Sequence, residues 1–162
     1  MIKVRLIMLF KLIMFFACVI NLMSCSNDKP LSKEQILFQS INEIETRVES
    51  RHLSDIVEYI SDNYQDHQGR TIRDIKRIIQ IQIMRHKSLY VFTSYGEVNW
   101  HDDQNVTVQI AAAMGGKPIE SVSVLTSIRA DMINFTVDFI LEDEIYKVKS
   151  AQWRWAKPSD FL

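Results

Sequence analysis

The stretch Tyr59–Arg70, YISDNYQDHQGR, gathers two aspartates, one histidine, two tyrosines and an arginine into twelve positions. A carboxylate beside an imidazole, Asp66-His67, has the parts of an acid–base pair or half of a metal site. Neighbouring side chains point apart, however, and the four histidines, at 52, 67, 86 and 101, lack ligand spacing such as H-x-x-x-H. The pattern predicts no metal and no cofactor. His67 then reads as part of a solvated loop, with Tyr64 and His67 kept as pocket or interface candidates. A second group is Trp153-Arg154-Trp155. Strand alternation sends the two tryptophans to one face and Arg154 to the other. On an outer sheet face the tryptophans would form an interface; under a helix they would be core. Arg70, Arg73, Lys76 and Arg77 form a basic stripe. It reads as the solvated face opposite Ile72, Ile75 and Ile79, or as a contact for anionic lipid or an acidic partner.

The elements that would position these residues begin after a leader. Lys3, Arg5 and Lys11 precede the first acid, Asp28, and an apolar run follows from Leu12 to Met23. A basic start, a short apolar run and small residues at its end make a secretory signal. A spanning helix would need about 20 apolar residues. The reading is a signal over 1–24, a polar tether over 25–30 and one domain over 31–162. Cys18 leaves with the signal, so beyond Cys25 the chain has no thiol for nucleophilic, redox or metal chemistry. Loss of three basic residues takes the 19 to 16 against 20 acids, a net charge near −4. Such a balance does not suit nucleic acid.

Within the domain, Ser32-x-x-Gln35 opens a capping box before Leu37, Ile41, Ile44 and Val48 at helical spacing. Ser54 is the candidate cap of a second helix with Ile56, Val57 and Ile60. Thr71-x-x-Asp74 starts a third, over Ile72, Ile75, Ile79 and Ile83. From Leu89 the chain turns β-branched and aromatic. Strands are expected over Leu89–Trp100, from Val106 to the break at Gly115-Gly116-Lys117-Pro118, over Ile128–Ile140 and over Ile145–Trp155. Helices before an antiparallel sheet predict an α+β domain. A two-residue turn at Glu142-Asp143 would set Phe139 opposite Tyr146, Asp138 opposite Lys147 and Asp131 opposite Arg154, as a structural ion pair. Apolar residues change parity along this hairpin, which a long bend, a second buried surface or a bulge would explain.

Two resemblances add to this. Leu22-Met23-Ser24-Cys25 resembles the lipobox of bacterial lipoproteins, which implies cleavage before Cys25, a diacylglycerol thioether on it and an acylated amino group. Two or more chains anchor a soluble domain stably. Ser26 in place of an aspartate implies the outer membrane, facing the periplasm. The order of elements over Leu31–Trp155, with the YISDNYQDHQGR crossing, resembles the nuclear transport factor 2 superfamily. That implies a curved, cone-shaped, cystatin-like sheet around a long helix, with a pocket and, in some members, a homodimer. In its ketosteroid-isomerase branch a general base falls at the position of Asp66. The tyrosine donor of that branch has no counterpart in Gln39-Ser40-Ile41-Asn42, and its second, acidic donor could only be Asp131 or Asp138. The expected role is a non-catalytic envelope module binding a small apolar ligand or an envelope protein; the alternative is an enzyme of the isomerase or dehydratase kind using Asp66.

Overall fold

Ser32 starts the first helix as its spacing predicts: the Gln35 amide donates to Ser32 Oγ at 3.3 Å, and the Gln35 side chain accepts from the Ser32 amide at 2.8 Å. The computed structural model describes residues 30–127 and 130–162. The signal segment 1–24 and Cys25 lie outside the described residues. Leu31–Leu162 forms one unit, built from α1 (Lys33–Ser50), α2 (Leu53–Val57), α3 (Ile72–Arg85) and strands β1 (Tyr90–Trp100), β2 (Asn105–Gly115), β3 (Ala130–Glu142) and β4 (Ile145–Trp155). The strands form one antiparallel sheet in the order β1-β2-β3-β4. This is the expected α+β class.

At the start of α3, the Asp74 carboxylate accepts from both the amide and the hydroxyl of Thr71, each at 2.9 Å. The second helix departs from expectation. It is a five-residue turn whose N-cap position is His52, while Ser54 lies inside it and bonds Asp55 instead. Arg51, in the left-handed conformation at φ 63°, ends α1. Its guanidinium crosses to the carbonyls of Ile83 at 2.8 Å and Lys87 at 2.6 Å, fastening the end of α3 to α1.

Two apolar layers result. On the concave face Leu37 and Ile41 of α1 meet Val106, Val108, Ile110, Val137, Phe139 and Tyr146. Each such side chain, fully buried, contributes roughly 1.5–3 kcal/mol. On the convex face Ala111 and Ala113 are covered by Ile119, Leu125 and Phe161, from the 3₁₀ turns Val122–Thr126 and Pro158–Phe161 and their approaches. Met132 joins this second layer.

The β3–β4 hairpin turns one residue later than the composition suggests. Asp143 and Glu144 are the turn, with φ of 52° and 66°, the signs of a type I′ hairpin turn. Glu142 is already paired with Ile145, and its carboxylate accepts from Ser61 Oγ at 2.7 Å. Phe139 therefore faces Val148, and Lys147 faces Ile140. Past them Asp138 faces Ser150, leaving Lys149 as the extra residue of a bulge, and Asn134 faces Arg154. Neither anticipated ion pair forms. Lys147 reaches Asp143 at 2.9 Å, and Asp138 accepts from Thr107 at 2.7 Å and Ser150 at 2.6 Å. The change of parity has two of the anticipated causes. The second buried surface takes Met132, and the bulge keeps Ala151, Trp153 and Trp155 on the side of Val148, where all four line one cavity.

Side chains at positive φ carry a cost that glycine lacks. Glu144→Gly should therefore stabilise the fold by about 0.5–1 kcal/mol, read as a higher urea midpoint at unchanged slope.

Candidate functional site

Helix α3 has an apolar face, yet none of its residues is buried. It stands off the sheet, and between them lies a cavity of about 660 Å³. That is the size of a small-molecule site. Its walls are Ile75, Ile78, Ile79 and Ile83 of α3, Ile44 and Val48 of α1, Ile110, Ala112 and Met114 of β2, and Ile133 and Phe135 of β3. Trp153 and Trp155 form the wall on β4, their rings edge to face at 5.9 Å and 84°. They remain 47% and 66% exposed, so the cavity opens beside them. They are neither an outer-face patch nor closed core.

Of the residues singled out in the sequence, Tyr64, Asp131, Trp153 and Trp155 come together on this cavity, and Asp66, His67 and Arg154 are not on its lining. His67 is exposed. Arg154 makes a two-pronged pair with Asp160, 2.9 Å on each prong. The Arg154 guanidinium and the Lys157 amide hold the Asp160 carboxyl down at about 2. Asp131, beyond the end of β4's pairing, makes no ion pair among the described residues.

Asp66 has a buried side chain and a complete set of partners. Its Oδ1 accepts from the amides of Gln68 at 2.9 Å and Arg70 at 3.0 Å, and its Oδ2 from Arg70 Nε at 2.6 Å. Burial alone would raise this carboxyl, but the Arg70 and Gln68 bonds outweigh it and lower the pKa. A carboxylate so held is a weak base. Tyr64, buried beside it, is pushed the other way by burial and by the Asp66 charge.

The polar group that sequence reading passed over is Glu45. It lies on the cavity wall, four residues after Ile41, and Thr93 Oγ1 donates to its Oε2 at 2.8 Å. The Thr93 hydroxyl also lies 3.1 Å from Tyr95 Oη, which donates to Asn42 Oδ1 at 3.1 Å. Burial raises the Glu45 carboxyl; the Thr93 bond opposes this and the Glu49 charge adds to it. Its signal was in the sequence, a glutamate at i+4 within the stripe of Ile41, Ile44 and Val48. Among the described residues no three His, Cys, Asp or Glu side chains converge as a metal site would require.

No family model matches the chain, and no curated protein matches it. Solved structures do. A dehydratase candidate of the NTF2-like family from Streptomyces avermitilis superposes with a TM-score of 0.60 at 10% identity, over 76% of this chain and 96% of that one. A protein of unknown function with a cystatin-like fold from Nostoc punctiforme gives 0.55 at 5% identity, over 74% and 87%. The fold is the nuclear transport factor 2-like cone. Bd1075 of Bdellovibrio bacteriovorus also matches, with a TM-score of 0.58 at 11% identity over 74% of this chain, which spans 39% of that protein. At such identities the likeness is one of fold, and the cone's cavity has to be interpreted from its own residues.

The Arg154–Asp160 pair predicts an acid response. A carboxyl depressed in the folded state contributes stability above its ordinary value of 3.8, and that contribution is lost as pH falls towards about 2. The C-terminal 3₁₀ turn should loosen across that window, seen as a shift in the Phe161 ring signals by NMR. Asp160→Asn should show the loosened signals already at neutral pH.

Proposed function

We propose that this chain is a lipid-anchored envelope protein whose cone domain binds a small apolar molecule without transforming it. The observation that carries the reading is the open cavity walled by isoleucine, alanine and tryptophan. An apolar surface of that size left to water is costly, and an apolar ligand removes the cost. The anchor rests on the lipobox-like Leu22–Cys25 and on the tether after it. Cys25 on the outer membrane would hold the domain in the periplasm, where small apolar molecules need a carrier or a receptor.

The enzyme reading has two supports, the dehydratase names of two solved structures with this fold and the general-base position of Asp66 in the family the sequence resembles. Against it stand the saturated partners of Asp66 and its place away from the cavity lining. Asp66 is better understood as the organiser of the 65–71 loop, where Gln65 and Thr71 form a bridge.

Pyrene fluorescence tests the binding reading. Wild-type protein should bind pyrene saturably in its apolar, water-poor emission state. Ala112→Trp, which puts an indole into the cavity from the middle of β2, should weaken that binding by about tenfold or more. Unchanged binding in Ala112→Trp would place the probe elsewhere and sink the reading. Asp66→Asn should lower the melting temperature by several degrees while its folded fraction still binds pyrene. Lipidation has a separate check: Cys25→Ser should move the protein from membranes to the soluble fraction and stop labelling by fatty acid.

A further inference from the structure

The cavity wall is almost wholly apolar, so the few polar groups on it decide which apolar molecules fit. Tyr64 and Arg70 lie beside Asp66, and Arg70 is engaged by it. Elsewhere on the wall Glu45 meets Thr93 of β1, while Tyr95 gives its own hydroxyl proton to Asn42. Thr93 has one proton. Given to Glu45 Oε2, it leaves that carboxylate oxygen satisfied. No described donor reaches Oε1, and Glu45 makes no ion pair among the described residues. A half-buried carboxylate on a mostly apolar wall, with one oxygen bonded to Thr93 and the other holding no protein donor, is a hydrogen-bond acceptor open to a donor on a ligand.

We propose that Glu45 recognises the hydroxyl group of an otherwise apolar ligand, with Thr93 fixing the carboxylate in place. This rests on the cavity being a binding site. A neutral donor suits the surroundings better than an ion. The cavity lining carries charges of both signs, Glu45 and Asp131 against Arg70 and Arg85, and Glu49 acts on Glu45 from the same helix. An ammonium would meet the arginines as well as the acids, and a carboxylate ligand would face Glu45 and Asp131. A hydroxyl needs only the free oxygen. The row Glu45, Thr93, Ala112, Ile133 and Trp155 crosses the cavity, because Thr93 faces Ala112, Ala112 faces Ile133 and Ile133 faces Trp155 in the sheet. A flat, hydroxylated hydrocarbon laid along that row would place its polar end on Glu45 and its apolar end against the tryptophan.

The test compares 1-hydroxypyrene with pyrene by fluorescence titration at neutral pH, on wild type, Glu45→Leu and Glu45→Gln. Wild type should prefer the hydroxylated probe by about tenfold, because a site built for a donor leaves an acceptor unpaired with the plain hydrocarbon. Glu45→Leu should abolish the preference while keeping or strengthening pyrene binding. Glu45→Gln keeps shape and hydrogen bonding and guards against a folding defect; with a neutral acceptor its preference should fall by about threefold. Equal binding of both probes by wild type, or an unchanged preference in both variants, overturns the role of Glu45 and leaves the cavity reading standing. Failure of wild type to bind either probe overturns both.

Discussion

The bulge at Lys149 is the constraint on which the rest of the domain depends. β4 is an edge strand, and an edge exposes amides and carbonyls that must find partners. Here they find them within the chain. The Tyr146 amide donates to Ser40 Oγ at 3.0 Å, and the Val148 amide to the Tyr59 carbonyl at 2.8 Å. The amides of Ser61 and Gln65 donate in turn to the carbonyls of Val148 and of the bulged Lys149, at 3.0 and 3.2 Å. The segment around Ile60, bridged in parallel to Val148, thus lies along β4 and holds the bulge open. Since strand side chains alternate, a single inserted residue reverses every face beyond it. Without Lys149 as the extra residue, Trp153 and Trp155 would turn to the convex side and the cavity would lose a wall.

The same arrangement explains why the cavity is not simply filled by α3. Protein interiors close to near-crystalline density when their elements are free to settle. Helix α3 is not free. Its start follows a loop stiffened by Asp66, whose carboxylate ties the Gln68 and Arg70 amides and the Arg70 guanidinium. Its end is caught by Arg51, which bonds the Ile83 and Lys87 carbonyls from the far end of α1. A helix fastened at both ends by charge-assisted hydrogen bonds spans the sheet and leaves Ile75, Ile78, Ile79 and Ile83 facing space. The ion pairs in this stretch support the walls of the cavity more than they do chemistry within it.

Much of this was legible in the sequence, and the division has a physical basis. Features set by a few neighbouring residues were readable: the Ser32–Gln35 and Thr71–Asp74 starts, the strand character from Leu89 onward, the helices-then-sheet order and the fold it resembles. Features set by long-range backbone pairing were not. The hairpin register depends on which residues adopt positive φ, and neither Asp143 nor Glu144 announces this as Asn-Gly would. The bulge could be suspected from the change of parity but not placed at Lys149, because its carbonyl's partner is Gln65, more than eighty residues away in the chain. The short α2 escaped because Ser54 looks like a cap wherever a helix begins. Asp66 stood in plain sight beside Arg70 at i+4, the spacing of a local ion pair, and that pairing describes it better than the role its position suggested.

What separates a site from a scaffold in this domain is spare hydrogen-bonding capacity. Asp66 and Asp160 both have lowered pKa values, yet each has an arginine and at least one backbone amide on its oxygens and little left to offer a ligand. Their depressed pKa values report completed structure. Glu45 is displaced in the opposite direction, because burial and Glu49 disfavour its charge and Thr93 compensates only in part. Perturbation as such does not distinguish the two cases; its sign does, together with the count of partners. A carboxylate stabilised by the fold holds the fold, whereas one left under-solvated on an apolar wall keeps a residual affinity for whatever donor enters. On that criterion the proposed recognition falls on the cavity side of α1 and not on the acidic crossing at Tyr59–Arg70.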